Sequence, residues 1–237
     1  MRETGLIGRC ALWLFLLAGG SQAAGIQAGD LDVSGAIDAA DMVILANYLA
    51  GNLAAFPAQN GQIYAIDPIV GIIRVVAAGT FTQGSPLDEE CRDGAGVEAQ
   101  FAHILTLNLA VMETEVTRQM WADLRAAQPT LPSDPTDTDF GAGMDNPVQM
   151  VTWCEAVLFA NLLSAERGLT RCYYADAGFT PPITSSNYTT GPFYSDFTAT
   201  GYRLLTEGEW EYCCRAGTAT PFWIAEPNFD GGKCSVC

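Results

Sequence analysis

A chain of 237 residues, of which 49% are hydrophobic and 10% aromatic, is long enough to bury a substantial core, which excludes a wholly disordered protein. It carries 27 acidic and 11 basic residues, for a formal net charge of −16. Because this charge repels phosphate backbones and anionic lipid surfaces, nucleic acid is not an expected partner.

The first 24 residues have the pattern of an export signal peptide. Arg2 and Arg9 precede an apolar stretch at residues 11–18, and small residues suited to cleavage follow at 21–24. The apolar stretch is shorter than the about 20 residues that a bilayer-spanning helix needs, and no later stretch reaches that length. The sequence therefore predicts a secreted or periplasmic protein without a transmembrane helix.

Cysteine usage leaves the redox chemistry open. Cys10 lies in the predicted signal, and an odd number of cysteines follows it, namely Cys91, Cys154, Cys172, Cys213, Cys214, Cys234 and Cys237. An exported protein can form disulfides, but the sequence does not fix their pairing. Cys234 and Cys237 have the spacing of a redox or zinc pair, yet no second pair accompanies them and His103 is the one histidine, so a metal role there is disfavoured.

Directly after the signal, residues 30–41 have the pattern of a calcium-binding loop. Oxygen-bearing side chains occupy loop positions 1, 3, 5 and 12, and Gly35 falls where such a loop turns sharply. A backbone carbonyl would supply one further oxygen, as a hard cation requires. The predicted metal ligands are Asp30, Asp32, Ser34, Ala36 and Asp41.

A short amphipathic helix is predicted after this loop, ending at Gly51. Loop and helix together, residues 25–55, resemble one half of a dockerin type I repeat, a small helical EF-hand-like module that docks onto cohesin domains. Dockerins carry two such repeats, and residues 60–71 show no second acidic loop, so a cohesin-like partner is a weaker expectation than Ca²⁺ itself. The alternative is an acidic turn without a metal. A connector is predicted at residues 56–71.

The remainder, residues 72–237, is predicted to contain short strands and capped helices. We expect a strand at 72–76, a tight turn at 79–84 and a second strand at 102–109. A helix is expected between Thr117 as its cap and Pro129 beyond its end.

Two more helices are marked by capping boxes, in which a threonine and a glutamate three residues later satisfy each other's backbone amides. Thr152 with Glu155 opens a helix that ends at Gly168, and Thr206 with Glu209 opens one that ends at Gly217. The stretch between them, residues 173–199, is rich in Thr, Ser, Pro and aromatic residues and is predicted to be an ordered surface excursion.

Four sequence blocks, in order, resemble one protein family, that of the formylglycine-generating enzymes or sulfatase-modifying factors. The blocks are residues 78–85 (AGTFTQGS), residues 103–107 with 115–117, residues 147–156, and residues 201–212 (GYRLLTEGEWEY) with 215–217. The last block departs from the family's signature, because Leu205 stands where proline is usual and Cys213 and Cys214 where two alanines are usual. We interpret the two cysteines as packing residues.

The resemblance implies an α+β fold, of the formylglycine-generating-enzyme and C-type-lectin-like kind, with much irregular structure. It also implies the family's reaction, in which a copper-bound pair of late cysteines oxidises a cysteine of a sulfatase or another protein to formylglycine. No residue of this chain matches that pair, and we do not transfer its role to Cys234 or Cys237. We therefore expect a C-terminally incomplete domain that is inactive as given.

The principal alternative is a non-catalytic extracellular module with a lectin-like or calcium-dependent binding surface, since the family also includes sulfoxide synthases and lectin-like proteins. A component of a cell-envelope assembly is a third possibility. The signature residues Arg203, Glu207, Glu209 and Glu211 are interpreted as a buried ion network, with ligand binding as the alternative. His103 is expected to be structural. Trp121, Trp153 and Trp210 are expected to anchor the core, although aromatic residues of 173–194 could line a groove.

Overall fold

The computed structural model describes residues 14–16, 60–87, 89, 92 and 96–219. The strands are β1 (Leu14–Leu16), β2 (Ile63–Asp67), β3 (Gly71–Val76), β4 (Gly79–Gln83), β5 (Phe101–Leu105), β6 (Leu109–Met112), β7 (Tyr173–Tyr174), β8 (Tyr194–Ser195) and β9 (Tyr202–Leu204). The helices are α1 (Arg118–Ala127), α2 (Trp153–Glu166) and α3 (Glu207–Arg215), with a 3₁₀ turn at Thr138–Phe140. This mixture of short helices and small sheets confirms the coarse α+β prediction and is consistent with a C-type-lectin-like arrangement.

The chain divides into two compact units. Unit 1 consists of the described residues within Met1–Val76 and Leu109–Leu204, and unit 2 of those within Ala77–Asn108 and Leu205–Cys237. The predicted calcium loop and its helix lie outside the described residues. Part of the predicted connector, by contrast, is regular structure, since β2 forms within it.

Unit 1 is built on a five-stranded sheet in the order β2-β3-β6-β1-β9, in which each strand is antiparallel to its neighbours. Helix α2 is the centre of its core. Residues 156–160 on that helix are completely buried, and Trp121 of α1 stacks on Phe159 with ring centroids 5.2 Å apart. A helix that is apolar around its whole circumference is typical of one surrounded by protein.

Unit 2 contains the two-stranded sheet β4-β5 and helix α3. The prediction of a tight turn at 79–84 was wrong for its first five residues, which form β4 and pair with β5. The turn is confined to Gly84, whose φ is +92°. A Cβ at Gly84 would lie 2.8 Å from the carbonyl oxygens of Glu98 and Ala99, so only glycine fits there.

The single strand predicted at 102–109 is in fact two strands in two different sheets. Phe101–Leu105 pairs with β4, whereas Leu109–Met112 pairs with β3 and is buried at every position. Between them Asn108 accepts a hydrogen bond from the amide of Ala78 at 2.8 Å. This polar contact joins residues 30 apart in the chain and lies in the break between the two strands, a feature that hydrophobic patterning does not reveal.

The three helix predictions are confirmed at their N-termini. Thr117, Thr152 and Thr206 cap α1, α2 and α3, and the glutamates Glu155 and Glu209 close the predicted capping boxes. No helix in the described ranges is both long and apolar enough to span a bilayer.

Candidate functional site

The residues predicted to bind calcium, Asp30, Asp32, Ser34, Ala36 and Asp41, lie outside the part of the chain that the structure describes. The same holds for Cys91, Cys234 and Cys237. The calcium loop therefore stays a prediction.

Four cysteines are described, and each is a free thiol: Cys154, Cys172, Cys213 and Cys214. Burial raises the pKa of the Cys172 thiol to about 11 and that of the Cys213 thiol to about 12. Without a metal, such pKa values keep both groups protonated at neutral pH. No group of three or more His, Cys, Asp or Glu side chains suited to a metal occurs among the described residues.

The packing interpretation of the cysteine pair is confirmed for one member only. Cys213 is partly buried, whereas Cys214 is exposed to solvent. Adjacent positions of a helix point about 100° apart, which places the two thiols in different environments.

Part of the signature block acts structurally within unit 2. Glu211 accepts a hydrogen bond from the amide of Gly84 at 2.8 Å and pairs with Arg215 at 2.7 Å, while Arg215 donates to the carbonyl of Gly84 at 2.9 Å. This ion pair fastens α3 to the turn after β4. Glu209 serves as the helix cap and Glu207 is exposed on the first turn.

His103 lies on β5 among aromatic side chains of unit 2. Its ring centroid is 5.5 Å from that of Phe81 and 6.0 Å from that of Phe101. Phe81 in turn contacts Tyr212 edge-on at 5.2 Å. This environment supports the structural role expected for His103.

A buried polar centre in unit 1 was missed by the sequence reasoning. The Asp67 carboxylate accepts five hydrogen bonds, from the amides of Ile69 and Val70, twice from the Arg167 guanidinium, and from the Tyr202 hydroxyl. The turn at Asp67-Pro68 is visible in the sequence, but Arg167 and Tyr202 are 100 and 135 residues away. Only the folded chain brings these three residues together.

Two opposing effects act on the pKa values of this polar centre. Burial alone would raise the pKa of Asp67, but the hydrogen bonds from Arg167, Ile69 and Tyr202 outweigh it and hold the pKa below its ordinary value. Burial and the adjacent Asp67 carboxylate raise the pKa of Tyr202, so the hydroxyl stays a donor. The five hydrogen bonds to the Asp67 carboxylate are those of a structural element.

The surface of unit 1 carries an aromatic cluster, which we call the Trp153 cluster and which consists of Trp153, Tyr173 and Phe193. Trp153 is the first residue of α2 and is 50% exposed. Its ring meets Phe193 edge-on at 4.9 Å and Tyr173 at 6.2 Å. Tyr173 is buried beneath them. An indole that packs against other rings on one side and is exposed to solvent on the other is suited to bind an apolar group.

A second set of aromatic residues lies on the other face of the β7–β8 strand pair. Tyr174 is paired across the strands with Tyr194 and contacts Phe179 at 5.4 Å. Further along, Phe197 is 55% exposed and lies 5.0 Å from the Arg203 guanidinium. Tyr173 and Tyr174 thus face opposite sides of the β7–β8 pair, and a groove lined by aromatic residues of 173–194 stays a prediction.

Asn161 of α2 holds this stretch in place from the core. Its side-chain amide donates to the carbonyls of Tyr173 at 2.7 Å and Ile183 at 3.0 Å, and its oxygen accepts from the amide of Tyr173 at 3.1 Å. The side chain is completely buried. The Asn161 side chain thus supplies hydrogen-bond partners to backbone groups that, in an irregular segment, have no neighbouring strand to pair with.

Arg171, two residues before β7, contacts Tyr174 through its backbone. The Tyr174 hydroxyl donates to the Arg171 carbonyl at 2.7 Å. The Arg171 Nε is buried and has no hydrogen-bond acceptor among the described residues. A buried donor of this kind is costly unless an acceptor reaches it, and a bound ligand is one source of such an acceptor.

The expectation for the three tryptophans was correct for one of them. Trp121 is completely buried and donates its indole N–H to the carbonyl of Pro132 at 2.9 Å. Trp153 and Trp210 are 50% and 41% exposed, so they are not core anchors. Their sequence environment, the first turns of capped helices, does not distinguish a buried face from an exposed one.

Comparison with protein families gives a match over most of the chain. The model of the sulfatase-modifying factor enzyme 1-like domain matches residues 70–234. This range begins after the predicted calcium loop and includes residues of both units.

Individual relatives are more distant. The chain is 30% identical over 105 residues to "Chaperone protein LppX" of Paenibacillus barcinonensis, a match that covers 44% of this chain and 34% of that protein. Of solved structures, CarF is 26% identical with a TM-score of 0.46, covering 61% of this chain and 56% of CarF. Treponema denticola variable protein 1 is 23% identical with a TM-score of 0.46, covering 64% and 55%. The chain thus spans about a third of the curated relative and just over half of each solved structure.

Proposed function

Because the chain belongs to the family of sulfatase-modifying factor enzyme 1-like domains, we propose that its described part is a polypeptide-recognition domain, which binds an extended apolar stretch of another protein at the Trp153 cluster. The observation that carries this proposal is the position of Trp153, which is half exposed yet held edge-on by Phe193 and the buried Tyr173. Rigid aromatic side chains of this kind dominate binding energies at protein interfaces.

Two further features support a polypeptide as the ligand. Unit 1 exposes other large apolar side chains, among them Met150 and Phe197, and exposed apolar side chains are a common feature of protein-binding surfaces. The relative LppX bears the name of a chaperone protein, and chaperones bind other polypeptides.

Replacement of Trp153 by alanine is expected to weaken polypeptide binding at least about tenfold, since an aromatic residue at the centre of an interface contributes on the order of 2 kcal/mol. Reduced, carboxymethylated α-lactalbumin, which stays unfolded, serves as the probe, and fluorescence anisotropy reports its affinity. Trp210→Ala is the matched control because Trp210 is similarly exposed on α3, and we expect this variant to bind like the parent.

The same experiment separates the binding alternatives. Oligosaccharides that compete for Trp153, with no binding of the unfolded polypeptide, would favour the lectin-like function and contradict this proposal. Polypeptide binding that disappears when EDTA removes calcium would assign recognition to the predicted calcium loop instead of the Trp153 cluster. Equal affinities of the Trp153→Ala and parent proteins would also contradict it.

The second candidate function is the oxidation of a substrate cysteine to formylglycine, and the family match favours it. Copper supplies the chemistry in that family, but no residue of this chain matches the family's cysteine pair, so we expect the chain as given to be inactive in this reaction. A cysteine-containing sulfatase peptide, incubated with this chain, copper, oxygen and a thiol reductant, should then keep its thiol when analysed by mass spectrometry. An aldehyde in place of the thiol, formed with release of sulfide while oxygen is reduced to water and the reductant is oxidised to its disulfide, would contradict this expectation and establish the oxidase activity.

Export and calcium binding belong to the proposal on sequence evidence alone. Residues 1–24 have the signal-peptide pattern, and residues 30–41 the calcium-loop pattern. A cohesin-like partner would require the loop to fold around calcium, and a sulfatase partner would follow from the second candidate function.

A further inference from the structure

A strand from the N-terminal segment lies inside the sheet of unit 1. β1 is antiparallel to β6 on one side and to β9 on the other, with Phe15 opposite both Val111 and Arg203. The same three residues belong to the apolar stretch of the predicted signal peptide. Removal of that peptide would take away the strand that joins β9 to the rest of the sheet.

The neighbour of β1 on one side, β6, is held in place by contacts that do not involve β1. Its far side pairs with β3 in register, with Val75 opposite Ala110 and Ile73 opposite Met112. All four residues of β6 are buried. Without β1, its near edge would expose unpaired backbone groups, the feature that recruits additional strands.

The neighbour on the other side, β9, is held by contacts on the edge that faces away from β1. The Tyr202 amide donates to the Ser164 hydroxyl of α2 at 2.8 Å, and the Leu204 amide donates to the Tyr173 hydroxyl at 2.8 Å. Amides alternate in direction along a strand, so the amide and carbonyl of Arg203 point toward β1.

The residues at the start of β9 are also tightly packed. A Cβ at Gly201 would collide with the Ser164 side chain and the Thr170 carbonyl. The Tyr202 hydroxyl is also bonded to Asp67 at 2.7 Å. β9 therefore does not move toward β6 without breaking several buried contacts.

These two strands define a gap of fixed width. Because β1 is antiparallel to both neighbours, β6 and β9 are parallel to each other and two strand spacings apart, about 9.6 Å. We propose that the gap between β6 and β9 is a strand-acceptor site, which the chain's own residues 14–16 fill before processing. After their removal it binds an extended apolar segment of another polypeptide, antiparallel to both strands. A strand in the middle of a sheet, with both edges paired, is typically apolar on both faces, as the sequence Leu-Phe-Leu of β1 is.

The site is tested on the full chain, with a specific protease sequence inserted after Ala24 and cleavage carried out after folding. The probe is a fluorescent peptide of residues 11–18, made soluble by terminal lysines. We expect saturable binding of one peptide per cleaved chain, no binding to the uncleaved chain, and slow amide exchange in β6 and β9 only when the gap is filled.

The matched control is the same peptide with Phe15→Pro. Proline removes the amide at position 15, which faces Arg203, and we expect at least about tenfold weaker binding. If the cleaved chain unfolds when its N-terminal fragment leaves, refolding by the parent peptide but not by the proline peptide supports the site. Equal binding of both peptides, no saturable binding, or failure of the parent peptide to restore the fold overturns it.

Discussion

Replacing Asp67 by alanine is expected to lower the free energy of unfolding by about 3 kcal/mol, because it leaves the Arg167 guanidinium and two backbone amides without their acceptor. The Asp67 side chain is 6% exposed and that of Arg167 24%, so the pair is well shielded from water. Urea denaturation monitored by tryptophan fluorescence measures the change.

The pH dependence of Asp67→Asn gives an independent test of the same carboxylate. Its pKa is lowered in the folded state, so the stabilisation is fully present above the unfolded-state pKa, about 3.9, and is lost as the pH falls through the folded-state pKa. The stability difference between parent and variant should therefore be constant near neutral pH and shrink below about pH 4. A difference that does not change in acid would contradict the assignment.

Glu113→Ala is the control for Asp67. Glu113 also pairs with an arginine, Arg74. Both side chains are more than a third exposed, at 39% for Glu113 and 35% for Arg74. Exposed ion pairs contribute up to about 1 kcal/mol, and we expect a loss within that range. Similar losses in the two variants would mean that burial does not determine the strength of these pairs.

The second large effect is expected at Asn161. Asn161→Ala removes three hydrogen bonds to backbone groups of Tyr173 and Ile183 and should cost about 3 kcal/mol or more, since each buried group left without a partner costs about 1–3 kcal/mol. Because those bonds position β7, amide exchange within residues 173–199 should accelerate. Binding of the unfolded polypeptide should weaken together with it.

Asn187→Ala is the matched control, since Asn187 lies in the same stretch but bonds only within its own turn, to Thr184 and Pro182. We expect a loss of about 1 kcal/mol and an unchanged affinity for the polypeptide. Hydrogen exchange followed by mass spectrometry, with urea denaturation, distinguishes the two variants. If Asn161→Ala weakens folding but leaves binding intact, the Trp153 cluster does not depend on the position of β7.

Local sequence signals determined much of the fold. Capping boxes fixed the starts of α2 and α3, because a threonine and the glutamate three residues later satisfy the first free amides without help from the rest of the chain. The family blocks likewise predicted the domain that the comparison confirms over residues 70–234. These signals depend on interactions between residues that are only a few positions apart in the sequence.

Strand boundaries were predicted less well. The apolar run at 102–109 concealed a break, in which Asn108 accepts a hydrogen bond from the amide of Ala78, 30 residues earlier. The position of a tryptophan in a predicted helix also did not show whether its side chain is buried. Helix α2 buries Ala156 and Phe159 but leaves Trp153, in its first turn, half exposed.

The sequence by itself determined the family and the helix starts, both of which depend on residue types at short spacing, and the calcium loop stays a prediction of the same kind. Only the tertiary structure decided that Asp67, Arg167 and Tyr202 form one polar centre, that Asn161 supports the aromatic stretch, and that β1 lies between β6 and β9. Each of these contacts joins residues far apart in the chain. Their free energy depends on burial and on distance in space, and neither is specified by spacing along the sequence.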